Sequence, residues 1–150
     1  MSEFYFTELA SVCQSKLSEA GFRIHPVENL GAINEIAGSL GKPYTTPRLL
    51  PFFNDFTPNN SFWLTLTQDG ETIAAGGCRF DDLGGMPLSA FWRNCVARYY
   101  ERTEGSLVDI APPVDEALSG RLAYFGDLIV KEGFRGQLAG AVLKRFTHFA

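Results

Sequence analysis

The chain has 150 residues, of which 45% are hydrophobic, 13% aromatic and 20% charged, and its formal net charge is −4. This length and composition are typical of one globular domain spanning 1–150 that buries a core without disulfides. The acidic balance and the lack of a basic stripe argue against nucleic-acid binding. No apolar run is long enough to cross a bilayer, and the N-terminus lacks the basic segment of a signal peptide. These properties predict a cytoplasmic protein with no membrane association.

The cysteines and histidines predict neither disulfides nor a metal site. The three cysteines, Cys13, Cys78 and Cys95, are far apart and form no CxxC pair. Scattered cysteines in odd number are typical of buried thiols in a reducing cytosol. The two histidines, His25 and His148, are not at metal-ligand spacing from a cysteine, so we expect no zinc site.

The first forty residues predict a helix, a short strand and a second helix. Apolar residues recur at helical spacing over 4–20, and Gly21 is a typical stop. The alternating segment 22–27 predicts a strand. Asn29 is a suitable cap for a helix that runs to about Leu40.

The middle of the chain predicts a packed loop and then a β-hairpin. Four prolines interrupt an apolar stretch between 42 and 60, so we expect an irregular segment that packs onto the body. Strands over 62–67 and 72–75 flank an Asp69-Gly70 turn, which is a strong hairpin signal. Gly76-Gly77 should weaken the second strand or place a bulge in it.

The last third predicts two helices around one strand. We expect a helix over 88–102, a proline-rich connection at 111–113, a strand over 122–130 and a helix from about Gln137 to the end. This order, with an antiparallel hairpin early and a strand–helix unit late, predicts an α+β fold in which helices flank a mostly antiparallel sheet.

The junction of the last strand and the last helix suits a pyrophosphate. The free amides and the partial positive charge of a helix's first turn bind anions. Gly136 and Gly140 let the main chain approach a ligand closely, and Arg135 can add a charge-assisted contact. Two nucleotide-binding motifs are excluded, since no Gly-Lys-Ser/Thr follows and no Gly-x-Gly-x-x-Gly is present.

The segment Phe125 to Phe149 resembles the acetyl-CoA-binding strand, loop and helix of the GNAT N-acetyltransferases, in the form found in the spermidine/spermine branch. The family motif has an acidic pair, an apolar triplet ending in Val, an aromatic residue in a turn and then Arg-Gly-x-Gly-x-Gly. It aligns without a gap, with Asp127 on the second acid, Leu128-Ile129-Val130 on the triplet, Phe134 on the aromatic residue, Arg135-Gly136-Gln137 on the loop start and Gly140 on the last glycine.

The resemblance implies a GNAT-like fold and an N-acetyltransferase that uses acetyl-CoA as cosubstrate. The backbone of Leu128, Ile129 and Val130 would pair with the pantetheine arm. The pyrophosphate would be bound by the loop and the helix start, namely Arg135, Gly136, Gln137, Leu138, Ala139, Gly140 and Ala141. The acceptor, a small-molecule or amino-terminal amine of unknown identity, would attack the acetyl group directly and in its neutral form, because an ammonium has no lone pair.

Two departures from the family motif affect catalysis. Leu138 replaces the middle glycine of the loop, and Gly126 replaces the carboxylate ahead of Asp127. Strand alternation then predicts one face without a carboxylate, formed by Tyr124, Gly126, Leu128 and Val130. Asp127 should point the other way and hydrogen-bond a neighbouring strand or loop.

The catalytic residues are therefore unknown from the sequence. Asp81, Asp82 or a chain of waters would have to replace a base on this strand. The acceptor is expected near loops 42–60 and 84–105. There the helix over 88–102 either covers the sheet or supplies an aromatic wall through Trp92, Tyr99 or Tyr100.

The third departure is that the sequence stops at Ala150, before the strand that forms the other wall of the family's pantetheine slot. We expect either a longer protein, which is favoured, or a second chain that completes the fold, as in a homodimer. Two other functions are compatible with the sequence: a GNAT-like module that binds CoA or a protein without catalysis, and an unrelated α+β interaction domain.

Overall fold

The computed structural model describes residues 3–100 and 110–136, and all of their side chains except those of residues 3–7, 9 and 100. The strands are β1 (Phe22–Pro26), β2 (Ser61–Gln68), β3 (Glu71–Asp82) and β4 (Arg121–Val130). The helices are α1 (Glu3–Glu19), α2 (Ile33–Ser39), α3 (Leu88–Tyr100) and α4 (Pro112–Ala117). The strands form one antiparallel sheet in the order β1-β2-β3-β4. The predicted α+β class is confirmed.

Two apolar clusters lie on the two faces of the sheet. On one face Leu17 at the end of α1 packs with Phe22, Leu66 and Ala74. On the other face α2 packs over a second cluster that comprises Ile33, Ala37, Leu40, Leu49, Trp63, Ala75 and Ile129. Because neighbouring strand residues point to opposite faces, the pair Ala74 and Ala75 separates the two clusters.

Local signals placed several elements correctly. Asn29 Oδ1 accepts a hydrogen bond from Gly31 N at 3.0 Å and caps a 3-10 turn, Leu30–Ala32, that leads into α2. Asp69 and Gly70 have φ of 51° and 82°, as a two-residue type I′ hairpin turn requires. Both predictions are confirmed.

The segment 42–60 packs onto the body, as predicted. It contains two 3-10 turns, Pro47–Leu49 and Pro51–Phe53. Leu49 is fully buried, and its carbonyl accepts a hydrogen bond from Trp63 Nε1 at 3.0 Å.

The proline-rich connection contains a helix that the sequence analysis missed. Prolines begin α4, because a proline in the first turn has no N–H to leave unpaired. Asp115 in α4 accepts hydrogen bonds from Ser89 N at 2.6 Å and Ser89 Oγ at 2.7 Å. These two bonds lower the pKa of Asp115 and tie α4 to the start of α3.

The prediction that Gly76-Gly77 weakens the second hairpin strand or places a bulge in it is wrong, since the bulge at this point lies opposite the glycine pair, in β4. The pairing register advances by three residues in β4, from Gly126 to Ile129, and by two in β3, from Gly77 to Ala75. One extra residue is therefore inserted at 127–128. The second strand of the hairpin is not ended by its glycines but continues to Asp82.

The bulge makes the predicted face of β4 wrong. Tyr124 packs against the α2-side cluster, whereas Val130 packs against the α1-side cluster. The extra residue shifts the alternation of side chains by one. Two residues on opposite sides of the bulge therefore point to opposite faces when their numbers differ by an even amount.

Within the described ranges, none of the helices is long and apolar enough to cross a membrane.

Candidate functional site

A cleft of about 480 Å³ lies beside the last residues of β4. One wall is the segment that follows α2, Leu40 to Tyr44. The other wall consists of Leu128, Ile129, Val130 and Arg135. The structure thus brings together the predicted pantetheine residues and the predicted arginine, and adds a wall that the sequence analysis did not identify.

The cleft lies at the outer edge of the sheet. β4 is the last strand in the sheet order, and no strand among residues 3–100 and 110–136 pairs with its outer edge. An edge strand presents unpaired backbone N–H and C=O groups that can bind an extended ligand. Leu128 in the bulge is 55% exposed, so its side chain does not close this edge.

Asp127 joins the bulge to the opposite wall of the cleft. Its carboxylate accepts hydrogen bonds from Thr46 N and Thr46 Oγ1, both at 2.7 Å, and pairs with the Lys42 ammonium. Its side chain is only 2% exposed. The φ of Asp127 is 51°, a left-handed value that Asp tolerates better than most residues. The prediction that Asp127 bonds a neighbouring loop is confirmed.

Lys42 and Thr46 could not have been singled out from the sequence. Each lies more than 80 positions from Asp127 in the chain, and neither belongs to a motif. The only local signal was that the segment 42–60 is rich in apolar residues and should pack against the body.

Arg135 and Gly136 follow β4 at the end of the cleft. Arg135 has helical backbone angles, φ −58° and ψ −38°, and its Nε donates to the Val130 carbonyl at 3.2 Å. A Cβ added to Gly136 would have no heavy atom of the described residues within 4 Å, so no described side chain covers this backbone. The other predicted pyrophosphate residues, Gln137, Leu138, Ala139, Gly140 and Ala141, lie outside the described residues.

The structure gives a steric reason for Gly126. A Cβ at this position would lie 2.9 Å from Leu49 Cδ1 and 2.9 Å from Tyr124 Cε1. A carboxylate side chain therefore does not fit where the family motif has one. No acid lines the described walls of the cleft.

The two aspartates proposed as substitute bases are engaged elsewhere. Asp81 accepts from Arg79 Nε at 3.2 Å and also pairs with Arg48. Asp82 accepts from Gly84 N at 2.8 Å and caps a turn. Neither residue lines the cleft.

Helix α3 covers a buried arginine rather than the cleft. The Arg48 guanidinium lies over the rings of Phe91, Trp92 and Tyr124, with centroid distances of 4.7, 5.1 and 5.7 Å. Tyr99 donates from its hydroxyl to Asn54 Oδ1 at 2.6 Å. Trp92 and Tyr99 thus surround Arg48, which shares the carboxylate of Asp81 with Arg79 on the α2 side of the sheet. We call this arginine cluster and its aromatic neighbours the second site. The side chain of Tyr100 is not among those described.

The thiols near this second site are poor nucleophiles. Burial, followed by the Asp81 charge, raises the pKa of Cys78 to about 11. Burial also raises the pKa of Cys95, and that of the Tyr99 hydroxyl, despite the nearby Arg48. The buried positions of Cys78 and Cys95 confirm the prediction of core thiols, whereas Cys13 is half-buried.

Comparisons of the chain with protein-family models, with curated proteins and with solved structures found no match in any of the three. The functional conclusion therefore depends on the site itself.

Proposed function

We propose that this protein is an acetyl-CoA-dependent N-acetyltransferase with a GNAT-type fold. The observation that carries the proposal is the cleft beside the bulged end of edge strand β4. Its lining includes Leu128, Ile129, Val130 and Arg135, the described residues for which the motif resemblance implies contact with acetyl-CoA.

The edge of β4 supports binding of the pantetheine arm. Pantetheine contains two amides, and an edge strand offers complementary N–H and C=O groups in an extended row. The bulge inserts one extra residue into β4 at 127–128, which bends and twists the strand locally next to the cleft. The cleft wall at Lys42 to Tyr44 then confines a ligand to this edge.

The start of the turn after β4 supports binding of the phosphates. Arg135 supplies a fixed positive charge next to the cleft, and a guanidinium binds phosphate oxygens with charge-assisted hydrogen bonds. No described heavy atom lies within 4 Å of a Cβ at Gly136, so the described chain leaves this backbone open to a phosphate.

The reaction is direct transfer of the acetyl group. The neutral amine attacks the thioester carbonyl carbon, the C–S bond breaks, and the CoA thiolate leaves and takes up a proton. The amine nitrogen loses its extra proton to water, because no Asp or Glu carboxylate lines the described walls of the cleft to act as a base. A backbone N–H at the free edge of β4 would stabilise the negative charge on the carbonyl oxygen.

Calorimetric titration of the full-length protein with acetyl-CoA and with CoA tests this proposal. We expect saturable binding of both ligands and no binding of ATP, which has phosphates and adenine but no pantetheine. Thiol release with a panel of amines then measures turnover. Absence of acetyl-CoA binding would overturn the proposal.

A second candidate function is a GNAT-like module that binds CoA or a protein without catalysis. The observation that favours it is the absence of a free acid at the cleft: Asp127 is held by Lys42 and Thr46, and Gly126 leaves no room for a carboxylate. Tight CoA binding with no thiol release for any amine would support this module. No CoA binding at all would instead support an unrelated α+β interaction domain.

A further inference from the structure

The second site contains two arginines and one aspartate among the described residues, so positive charge exceeds negative charge there. The Arg48 and Arg79 guanidiniums share a single carboxylate, that of Asp81. Among the described residues, these two positive charges and one negative charge leave a net charge of +1 beneath the surface. Arg48 is only 2% exposed, and a buried charge without a full partner is unfavourable.

Each of the two guanidiniums also has a buried nitrogen without a hydrogen-bond partner. These atoms are Arg48 Nε and Arg79 Nη1. The other Arg48 nitrogens are engaged, Nη2 with Asp81 and Nη1 with Cys95 Sγ at 3.1 Å and the Tyr99 hydroxyl at 3.3 Å. Unpaired buried donors in native proteins require an explanation, and a bound ligand is one.

The surroundings of these donors are aromatic. Phe91, Trp92 and Tyr124 lie around Arg48, and the Arg79 guanidinium lies 5.5 Å from the centroid of Phe56. All four rings are half-buried. A ligand with one carboxylate and an apolar or aromatic body would match both the surplus charge and these walls.

Tyr124 of the second site and Leu128 of the cleft lie on the same strand, β4. Arg48 precedes Leu49, whose side chain packs beside Gly126 immediately before the bulge. Tyr124 under Arg48 is four residues from Leu128 in the cleft, which corresponds to roughly 13 Å or less of strand. A short peptide or a comparable amine can span this distance.

We propose that Arg48 and Arg79 form an anion subsite for the carboxylate of the acceptor, so that the acceptor is an amine that also carries a carboxylate and an aromatic or apolar group. The identity of the acceptor rests on the proposed acetyltransferase function, whereas the anion subsite does not. Arg79 is the outer member, with a side chain 12% exposed against 3% for Arg48. A carboxylate therefore meets Arg79 first, after a rotamer change in the aromatic rim of the kind common at binding surfaces.

Binding of 3-phenylpropanoate and of its amide, 3-phenylpropanamide, tests the subsite without acetyl-CoA. We expect the acid to bind at least tenfold more tightly than the amide. Arg79→Gln should remove this preference, and Arg23→Gln on exposed edge strand β1 should retain it. Melting curves establish that each variant is folded. The comparison of the acid with the amide in the unaltered protein tests the subsite even if a variant fails to fold. Equal binding of acid and amide, or binding of neither, overturns the subsite.

Turnover with Gly-Phe and Gly-Phe amide tests the acceptor class. We expect kcat/KM to be at least tenfold higher for the free acid, through KM, and Arg79→Gln to lower it for the acid alone. Equal kcat/KM values for Gly-Phe and Gly-Phe amide would overturn the acceptor class and leave the acetyltransferase function intact. Preferential binding of 3-phenylpropanoate without any acetyl-CoA binding would support the subsite and overturn the acetyltransferase.

Discussion

The two halves of β4 differ in how they are covered. Before the bulge, Tyr124 and Gly126 lie under the loop that carries Leu49, with no space for an added methyl group at Gly126. After the bulge, Leu128 is 55% exposed and Val130 borders an open cleft. Asp127 separates the halves, because the one extra residue in the strand shifts the pairing register there, and pairing resumes at Ile129.

The difference indicates how one strand can combine a rigid support with a free edge. The first half is held by close packing, which tolerates little change in volume. In the second half no described strand pairs with the outer edge, although Arg135 Nε donates to the Val130 carbonyl, so the remaining edge groups can bind an extended ligand. Substitutions at Gly126 and at the residues packed on it should therefore alter stability, and those at the exposed Leu128 should alter binding.

The largest effect is expected for Gly77→Ala, in β3 directly opposite Gly126 in the closely packed half of β4. A Cβ at Gly77 would lie 2.6 Å from Cε2 of Trp63, which is 1% exposed and held by its bond to Leu49. We expect the free energy of unfolding to fall by about 3 kcal/mol, because a rigid buried ring has no room to move. Urea denaturation measures it. Gly85→Ala, at a position with open space, is the control, and an equal effect of the two substitutions would contradict the packing argument.

The next effect is expected at the boundary, for Asp127→Ala. The change removes the acceptor of the Thr46 and Lys42 bonds and leaves Thr46 N without a partner. We expect a loss of about 2 kcal/mol in the free energy of unfolding and weaker acetyl-CoA binding, as the Lys42 wall is released. Denaturation and calorimetry provide the two measurements.

Asp69→Ala is a matched control for Asp127, since both aspartates have a φ of 51°. Asp69 lies exposed in the hairpin turn, so its substitution reports the left-handed strain alone. A loss at Asp127 no greater than the loss at Asp69 would mean that the hydrogen bonds to the cleft wall contribute nothing.

A smaller effect, on binding rather than stability, is expected for Gly136→Leu. The added side chain occupies open space next to Arg135, where the phosphates of acetyl-CoA are proposed to bind. We expect about a tenfold loss of affinity, or about 1.4 kcal/mol, with an almost unchanged melting temperature. Gly85→Leu is the control, because Gly85 follows the end of β3 that is remote from the cleft. This substitution should leave the affinity for acetyl-CoA unchanged. Unaltered acetyl-CoA affinity in the Gly136 variant would show that this turn does not contact the phosphates.

The smallest effect is a pH dependence from Cys78, which lies in β3 and pairs with Phe125 in the first half of β4. Its pKa is raised from 9.0 to about 11 in the folded protein. The unfolded thiol therefore loses its proton at lower pH than the folded one, and stability falls as the pH rises through this window. We expect a loss of about 1 kcal/mol between pH 8 and pH 10, measured by denaturation at each pH. Cys78→Ala should remove this component, and an identical slope in the variant would show that other groups cause it.

Much of the fold was predictable because its signals are local. The Asp69-Gly70 turn and the Asn29 cap each depend on a few neighbouring residues whose chemistry is explicit in the sequence. The segment 111–113 was misinterpreted for the converse reason, since prolines are common both in loops and at the first turn of a helix. Only the packing of α4 against α3 through Asp115 and Ser89 distinguishes the two cases.

The sequence by itself determined the order of the described helices and strands apart from α4, the hairpin, and the segment Leu128–Val130 with Arg135 as a candidate site. The tertiary structure alone decided the bulge at Asp127, the Lys42 wall of the cleft and the sharing of Asp81 by Arg48 and Arg79. The partners of Asp127 are 81 and 85 positions away, and Arg48 and Asp81 are 33 apart. Such contacts follow from how the sheet and the loop pack together, and they leave no periodic pattern in the chain.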